Sequence, residues 1–189
     1  MTRDLVRSTL AETIALHQRL LDGDLAPVFA AAAAIAGAVN TGGKLLVFGN
    51  GGSAADAQHV ASELVGRFER ERRAIGAIAL TTDTSVLTSV GNDYGYERVF
   101  ARQVEALGHR GDVALGISTS GASPNVIAAL EAAKTRGLTT IALTGRDGGT
   151  VGRVAAIHIN VPSESPARVQ EVHRTLLHVM CDLVEQSVA

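Results

Sequence analysis

Five short apolar runs, Lys44–Phe48, Ile75–Leu80, Val113–Ile117, Thr139–Leu143 and Ile157–Val161, alternate along the chain with stretches of helical apolar spacing. Strands joined through helices run parallel, because a parallel pair needs a crossover connection, and such crossovers are right-handed. The expected fold is therefore α/β, a doubly wound five-stranded parallel sheet flanked by helices. The helical stretches are Ala54–Arg67, Asp83–Val90, Tyr96–Leu107, Pro124–Arg136 and a last one from about Ser165 to Gln186.

Two further helices precede every strand. Leu5, Leu10, Ile14, Leu16, Leu20 and Leu21 recur at helical spacing and are followed by Asp22-Gly23 as a stop. Asp24 caps a second helix with Pro27 in its first turn, which runs through Ala30–Ala34 and ends near Thr41-Gly42-Gly43. Residues 1–43 thus read as an N-terminal helical hairpin whose surplus apolar face packs on another subunit. Residues 44–189 read as the α/β domain, and the two form one structural unit.

A length of 189 residues with 46% hydrophobic and 19% charged residues suits a single folded domain with a real core. The formal net charge of −2 provides no basic footprint, which argues against nucleic acid as a partner. Leu25–Gly43 carries no charge, but Pro27, Asn40 and three glycines interrupt it, so no membrane span is expected. The first residues lack the pattern of a signal peptide, and Cys181 is the single cysteine, so a cytoplasmic setting is expected.

In open parallel sheets ligands bind beyond the carboxyl ends of the strands, which directs attention to the loops after the first and third. After the first comes Gly49-Asn50-Gly51-Gly52-Ser53, opening a helix. Glycines let backbone amides approach an anion at a helix N-terminus, although the same residues also fit a ligand-free tight turn or a dinucleotide fingerprint. After the third comes Ser118-Thr119-Ser120-Gly121-Ala122-Ser123-Pro124, whose hydroxyls suit a phosphate monoester; alternatively Ser123 is a plain N-cap. Together the two loops favour a small phosphorylated ligand.

His59 and Glu63 stand four apart and project from one helix face, a spacing that permits a shared metal and also occurs on solvated faces. Gln170 and His178 are eight apart on the last helix and share a stripe, whereas His173 falls on another side and reads as structural. His17, His109 and His158 stand apart from any polar constellation. Arg67–Arg73 reads as a solvated helix end and loop, within which Arg67 is placed to reach a ligand anion. Asn92-Asp93 lies in a turn, where Asp93 can cap the Tyr96 helix.

These motifs, in this order, resemble the phosphoheptose isomerase family of sugar isomerase (SIS) domain proteins over nearly the whole chain. The resemblance implies an aldose–ketose isomerase acting on sedoheptulose 7-phosphate, a homotetramer with active sites between subunits. It implies substrate contacts from Asn50, Gly51, Gly52, Ser53, Asn92 and Asp93, and a phosphate site of Ser118, Thr119, Ser120 and Ser123. It also implies a zinc site of His59, Glu63, Gln170 and His178, one ion per active site, with Glu63 and His178 as the acid–base pair. Glu63 and Gln170 would touch substrate as well as metal. One departure stands out: many relatives carry an acidic residue shortly before Arg168-Val169-Gln170, where this chain has Pro166-Ala167. Relatives on this fold also include a scaffold that binds the replication initiator protein and sugar-phosphate sensors, but either role leaves Glu63 and His178 without a task.

Overall fold

The computed structural model describes residues 3–188. Five parallel strands, β1 Leu45–Gly49, β2 Ala77–Ala79, β3 Val113–Ser118, β4 Thr139–Gly145 and β5 Ile157–Val161, form one sheet in the order β2-β1-β3-β4-β5. The expected doubly wound sheet is present. Its strand order reverses between β1 and β3, where Gly49 pairs with Ile117, so the loops after those two strands leave the same edge side by side.

Helices α1 Arg3–Leu21 and α2 Ala26–Asn40 precede β1, and the chain turns by 78° between them. The N-cap position is held by Leu25 rather than by the expected Asp24, whose carboxylate accepts from the Ala26 amide at 2.9 Å from one residue farther back. Helices α3 Gly52–Val65 and α8 Pro166–Val188 join α2 on one face of the sheet, packing Ile35, Val60, Leu177 and Val184 against Val47, Leu115 and Ile141. The other face carries α5 Ala101–Leu107, α6 Pro124–Thr135 and α7 Gly149–Val154, which bury Val104, Leu130 and Val151 with Leu46, Phe48 and Ala142. The alternation of inward residues along β1 supplies both cores.

Several expected boundaries move. β2 is three residues long; Ile75 and Leu80 flank it and are buried, the Ile75 amide bonded to Leu64 O at 3.1 Å and the Leu80 amide to Val47 O of β1 at 2.9 Å. Helix α4, Thr84–Tyr94, is capped by Asp83, which accepts from the Val86 amide at 3.0 Å, and runs four residues past Val90. Asn92 and Asp93 therefore lie in its last turn rather than in a loop, and Gly95, not Asp93, holds the N-cap position of the turn that follows. The Tyr96–Leu107 helix is broken into a 3-10 turn at Tyr96–Arg98 and α5, and α7 is an additional short helix.

Helix α1 buries only Leu16 and leaves Leu5, Leu10 and Ile14 exposed at 66%, 58% and 68%. Leu16 and the partly buried Leu20 join the core, and polar bonds add to the attachment. His17 bridges Thr13 O at 2.9 Å and Thr175 Oγ1 at 3.0 Å, and Thr13 donates to Glu171 at 2.6 Å.

A candidate active site where two loops meet two helices

The first loop enters α3 through Gly51, whose φ of +56° favours glycine, and Gly52 begins the helix. A Cβ on Gly52 would stand 2.6 Å from Gln170 Nε2, so the missing side chain is what lets α8 lay Gln170 over the start of α3. The Asn50 and Asn125 side-chain amides exchange hydrogen bonds of 2.9 and 2.8 Å, and Tyr96 OH donates to Asn50 Oδ1 at 3.4 Å. This reciprocal pair ties the β1 loop to the N-terminal turn of α6.

The second loop gathers hydroxyls at that turn. Ser118 Oγ lies 2.8 Å from Ser123 Oγ and 3.3 Å from Ser120 Oγ, and the Ala122 amide donates to Ser120 at 3.2 Å. Ser123 occupies the N-cap position, yet its side chain makes no capping bond and turns to Ser118 instead. Ser123 is thus the N-cap by position and through its backbone carbonyl, while its hydroxyl is turned into the loop. Gly121, at φ +66°, lets the loop rest on α7, where a Cβ would meet Gly148 backbone at 2.5 Å. Three hydroxyls gather beside the N-terminus of a twelve-residue helix whose Pro124 lacks an N–H and whose Val126 and Ile127 amides bond Ser123 O, an arrangement of donors chemically suited to a phosphate dianion.

Helices α3 and α8 carry the reactive groups. His59 Nε2 lies 2.6 Å from His178 Nε2 and 3.4 Å from Glu63 Oε1, and one donor atom from each of the three falls within 4.8 Å of the others. All three side chains are half-buried, and Phe68 packs its ring on His178 with centroids 5.3 Å apart. Two imidazole nitrogens and a carboxylate converging on one point are a donor set that suits a divalent cation such as zinc. Gln170 and His178 line a single cleft of about 630 Å³ with Gly52, Asp56, Ala167 and Arg174. Arg174 donates to the buried Asp56 carboxylate at 2.5 Å across that cleft.

The remaining candidates are placed differently. Ser53 is buried in the first turn of α3, and Thr119 is half-buried in the hydroxyl loop. Asn92 donates to Asp93 at 2.7 Å on the outward side of α4, and both are exposed. Arg67 is exposed beyond the end of α3, bonded to Glu69 O at 3.5 Å. Ala167 lines the cleft where many relatives are expected to have an acid nearby, and Glu164 points instead to Arg146 at 3.4 Å.

His173 is structural, fully buried with Nε2 donating to Thr144 O at 2.9 Å; burial lowers it to about 4, although the Thr144 bond works the other way. His17, His109 and His158 are not isolated. His158 meets Thr144 Oγ1 at 2.7 Å and His109 meets Lys44 Nζ at 3.2 Å, contacts that join elements distant in sequence. The run 67–73 is also not uniformly solvated, because the Arg72 side chain is fully buried against Glu185 at 3.0 Å. Asn125 and Asp56 had not been singled out from the sequence. Asn125 alone had a local signal, standing directly after the Ser123-Pro124 helix start.

A family model for the SIS domain matches residues 10–145. The phosphoheptose isomerase of Aquifex aeolicus is 62% identical over 154 residues, 82% of this chain and 81% of its own length. That of Citrifermentans bemidjiense is 56% identical over 169 residues, 89% of this chain and 88% of its own. The chain belongs to the phosphoheptose isomerase family of SIS-domain proteins. A phosphoheptose isomerase structure from Neisseria gonorrhoeae superposes with a TM-score of 0.92 at 46% identity, covering 97% of this chain and 98% of that one. The phosphoheptose isomerase fold thus extends over the N-terminal helices as well as the sheet.

Proposed function

We propose that this chain is an aldose–ketose isomerase converting sedoheptulose 7-phosphate to D-glycero-D-manno-heptose 7-phosphate through a cis-enediol. The observation that carries the proposal is the convergence of Glu63 and His178 from two helices, beside loops suited to a sugar phosphate. Moving the carbonyl from C2 to C1 requires a base beside C1 and a second group that exchanges protons between the two oxygens. Glu63 removes the C1 proton and returns one to C2, while His178 takes the O1 proton and delivers one to O2. A histidine suits that shuttle because its imidazole can both accept and donate a proton.

Ser118, Thr119, Ser120 and Ser123 hold the phosphate, at the positive end of the α6 dipole. Asn50, Gly51, Gly52, Ser53 and Gln170 line the sugar, and the Asn125 amide keeps Asn50 turned to its task. His59, Glu63, Gln170 and His178 would hold zinc, which when bound polarises the sugar oxygens and stabilises negative charge on them. The exposed apolar residues of α1 and the outward Asn92, Asp93 and Arg67 support a homotetramer with active sites between subunits, in which residues 1–43 serve assembly. We place the enzyme in the cytoplasm, in keeping with a lone, buried thiol. Incubating the purified protein with sedoheptulose 7-phosphate and following the mixture by NMR tests the reaction: an aldoheptose 7-phosphate anomeric signal is expected, and an unchanged ketose spectrum refutes it.

A further inference from the structure

Behind the reactive helices lies a buried ion pair that the proposed reaction does not use. Arg72 and Glu185 are 3.0 Å apart, with both side chains fully shielded from solvent. Arg72 closes the C-terminal end of α3: it donates to Glu63 O at 2.8 Å, Leu64 O at 2.8 Å and Gly66 O at 3.0 Å. Glu63 O and Leu64 O belong to the last turn of the helix, which leaves its carbonyls without intrahelical partners; Leu64 O also accepts from the Ile75 amide at 3.1 Å, and Gly66 follows the helix end. Glu185, in α8 two turns beyond His178, accepts the successive amides of Phe68, Glu69 and Arg70 at 2.7, 2.9 and 2.9 Å. That carboxylate fixes the backbone of Phe68, whose ring rests on His178.

As a stability device the pair is a poor choice. Burying two charges generally gains no more than well-packed apolar residues would, and Arg72 Nε finds no acceptor among the described residues. What the pair does provide is a rigid link between the element carrying His59 and Glu63 and the element carrying His178. We infer that Arg72 and Glu185 are positioning residues that set the approach of α3 to α8, and so hold His59, Glu63 and His178 at converging distance. The inference rests on the isomerase proposal for its catalytic meaning, but the geometry it predicts can be read without turnover.

The test is the double substitution Arg72→Met with Glu185→Leu, which removes both charges together and keeps an apolar volume. Its far-UV circular dichroism and gel-filtration profile are expected to match the wild type, and inorganic phosphate, bound at the hydroxyl loop, is expected to inhibit equally. In the metal-free protein, the imidazole NMR signals of His59 and His178 are expected to shift and broaden while those of His158 stay in place. Zinc affinity, measured by competition with a chromophoric chelator, is expected to fall 10- to 100-fold, the range seen when supports of metal ligands are removed, with kcat falling in parallel. Unshifted His59 and His178 signals with wild-type zinc affinity would overturn the inference. Wild-type protein that neither binds zinc nor turns over the sugar would sink the isomerase proposal instead, and the NMR comparison would still decide the positioning. If the double variant unfolds, Arg72→Lys carries the same comparison, because it retains the charge but cannot reach three carbonyls and Glu185 at once.

Discussion

His59 Nε2 and His178 Nε2, 119 residues apart in sequence, face one another at 2.6 Å. At that distance only one of the two nitrogens can carry the proton between them, so the pair is poised to share a cation or a proton. Chelation followed by dialysis is expected to lower isomerase activity, and added zinc to restore it. Full activity in protein shown by elemental analysis to be metal-free would remove zinc from the account.

The hydroxyl cluster is expected to determine KM. Ser118→Ala with Ser123→Ala removes two hydroxyls of the proposed phosphate site, where a hydrogen bond to a charged group contributes about 1.5–3 kcal/mol. A rise in KM of at least tenfold is expected, with a parallel loss of inhibition by inorganic phosphate. An unchanged KM would place the phosphate elsewhere.

Acid is expected to destabilise the fold in two stages. His173 is neutral when folded, since burial holds it at about 4 against an ordinary 6.5. The unfolded chain therefore binds the extra proton first, and stability that is complete above pH 6.5 falls as pH drops towards 4, by on the order of 3 kcal/mol. Glu185 works in a lower window. Burial alone would raise its carboxyl, but the amides of Arg70, Glu69 and Phe68 and the Arg72 guanidinium bring it down to about 2. Its contribution is complete above 4.5 and is lost as pH falls through that lower value. Denaturant midpoints measured from pH 7.5 to 3 would show this, and His173→Gln, which keeps a donor for Thr144, is expected to flatten the slope between pH 6.5 and 4. A slope unchanged by that substitution would assign it to another group.

What could be read in the sequence follows from how local each cause is. The strands, the two glycine- and hydroxyl-bearing loops and the i,i+4 pair of His59 and Glu63 arise from residues adjacent in the chain. The Gln170–His178 stripe follows from helical periodicity alone. Convergence of the two helices was accessible only through the resemblance to a known family, because no spacing rule relates position 59 to position 178. Arg72 illustrates the limit: within Arg67–Arg73 it looks like its solvated neighbours, and only Glu185, 113 positions later, makes it a buried cap. Helix α4 passed its expected end for a similar reason. A Cβ at Gly91 would meet only Val99 at 3.8 Å, and the helix runs through that position to Tyr94, where Gly95 at a φ of +87° ends it.

Asn125 is expected to act through Asn50. Replacing it with alanine leaves the Asn50 amide without its reciprocal partner, so kcat/KM is expected to fall by about tenfold, the effect of losing one net hydrogen bond of roughly 1.4 kcal/mol. Asn125→Asp, which can accept but not donate, is expected to be no better. Equal kcat/KM in all three proteins would show that the amide pair is incidental to substrate binding.

The most direct test of the account is the rate at which Glu63→Gln converts sedoheptulose 7-phosphate, followed by NMR beside the wild type. Glutamine keeps the shape and a carbonyl oxygen but is no base, so the rate is expected to fall by about 10²- to 10⁴-fold while inhibition by inorganic phosphate and the gel-filtration profile stay unchanged. Turnover by Glu63→Gln at the wild-type rate would contradict the assignment of Glu63 as the group that moves the carbon-bound proton.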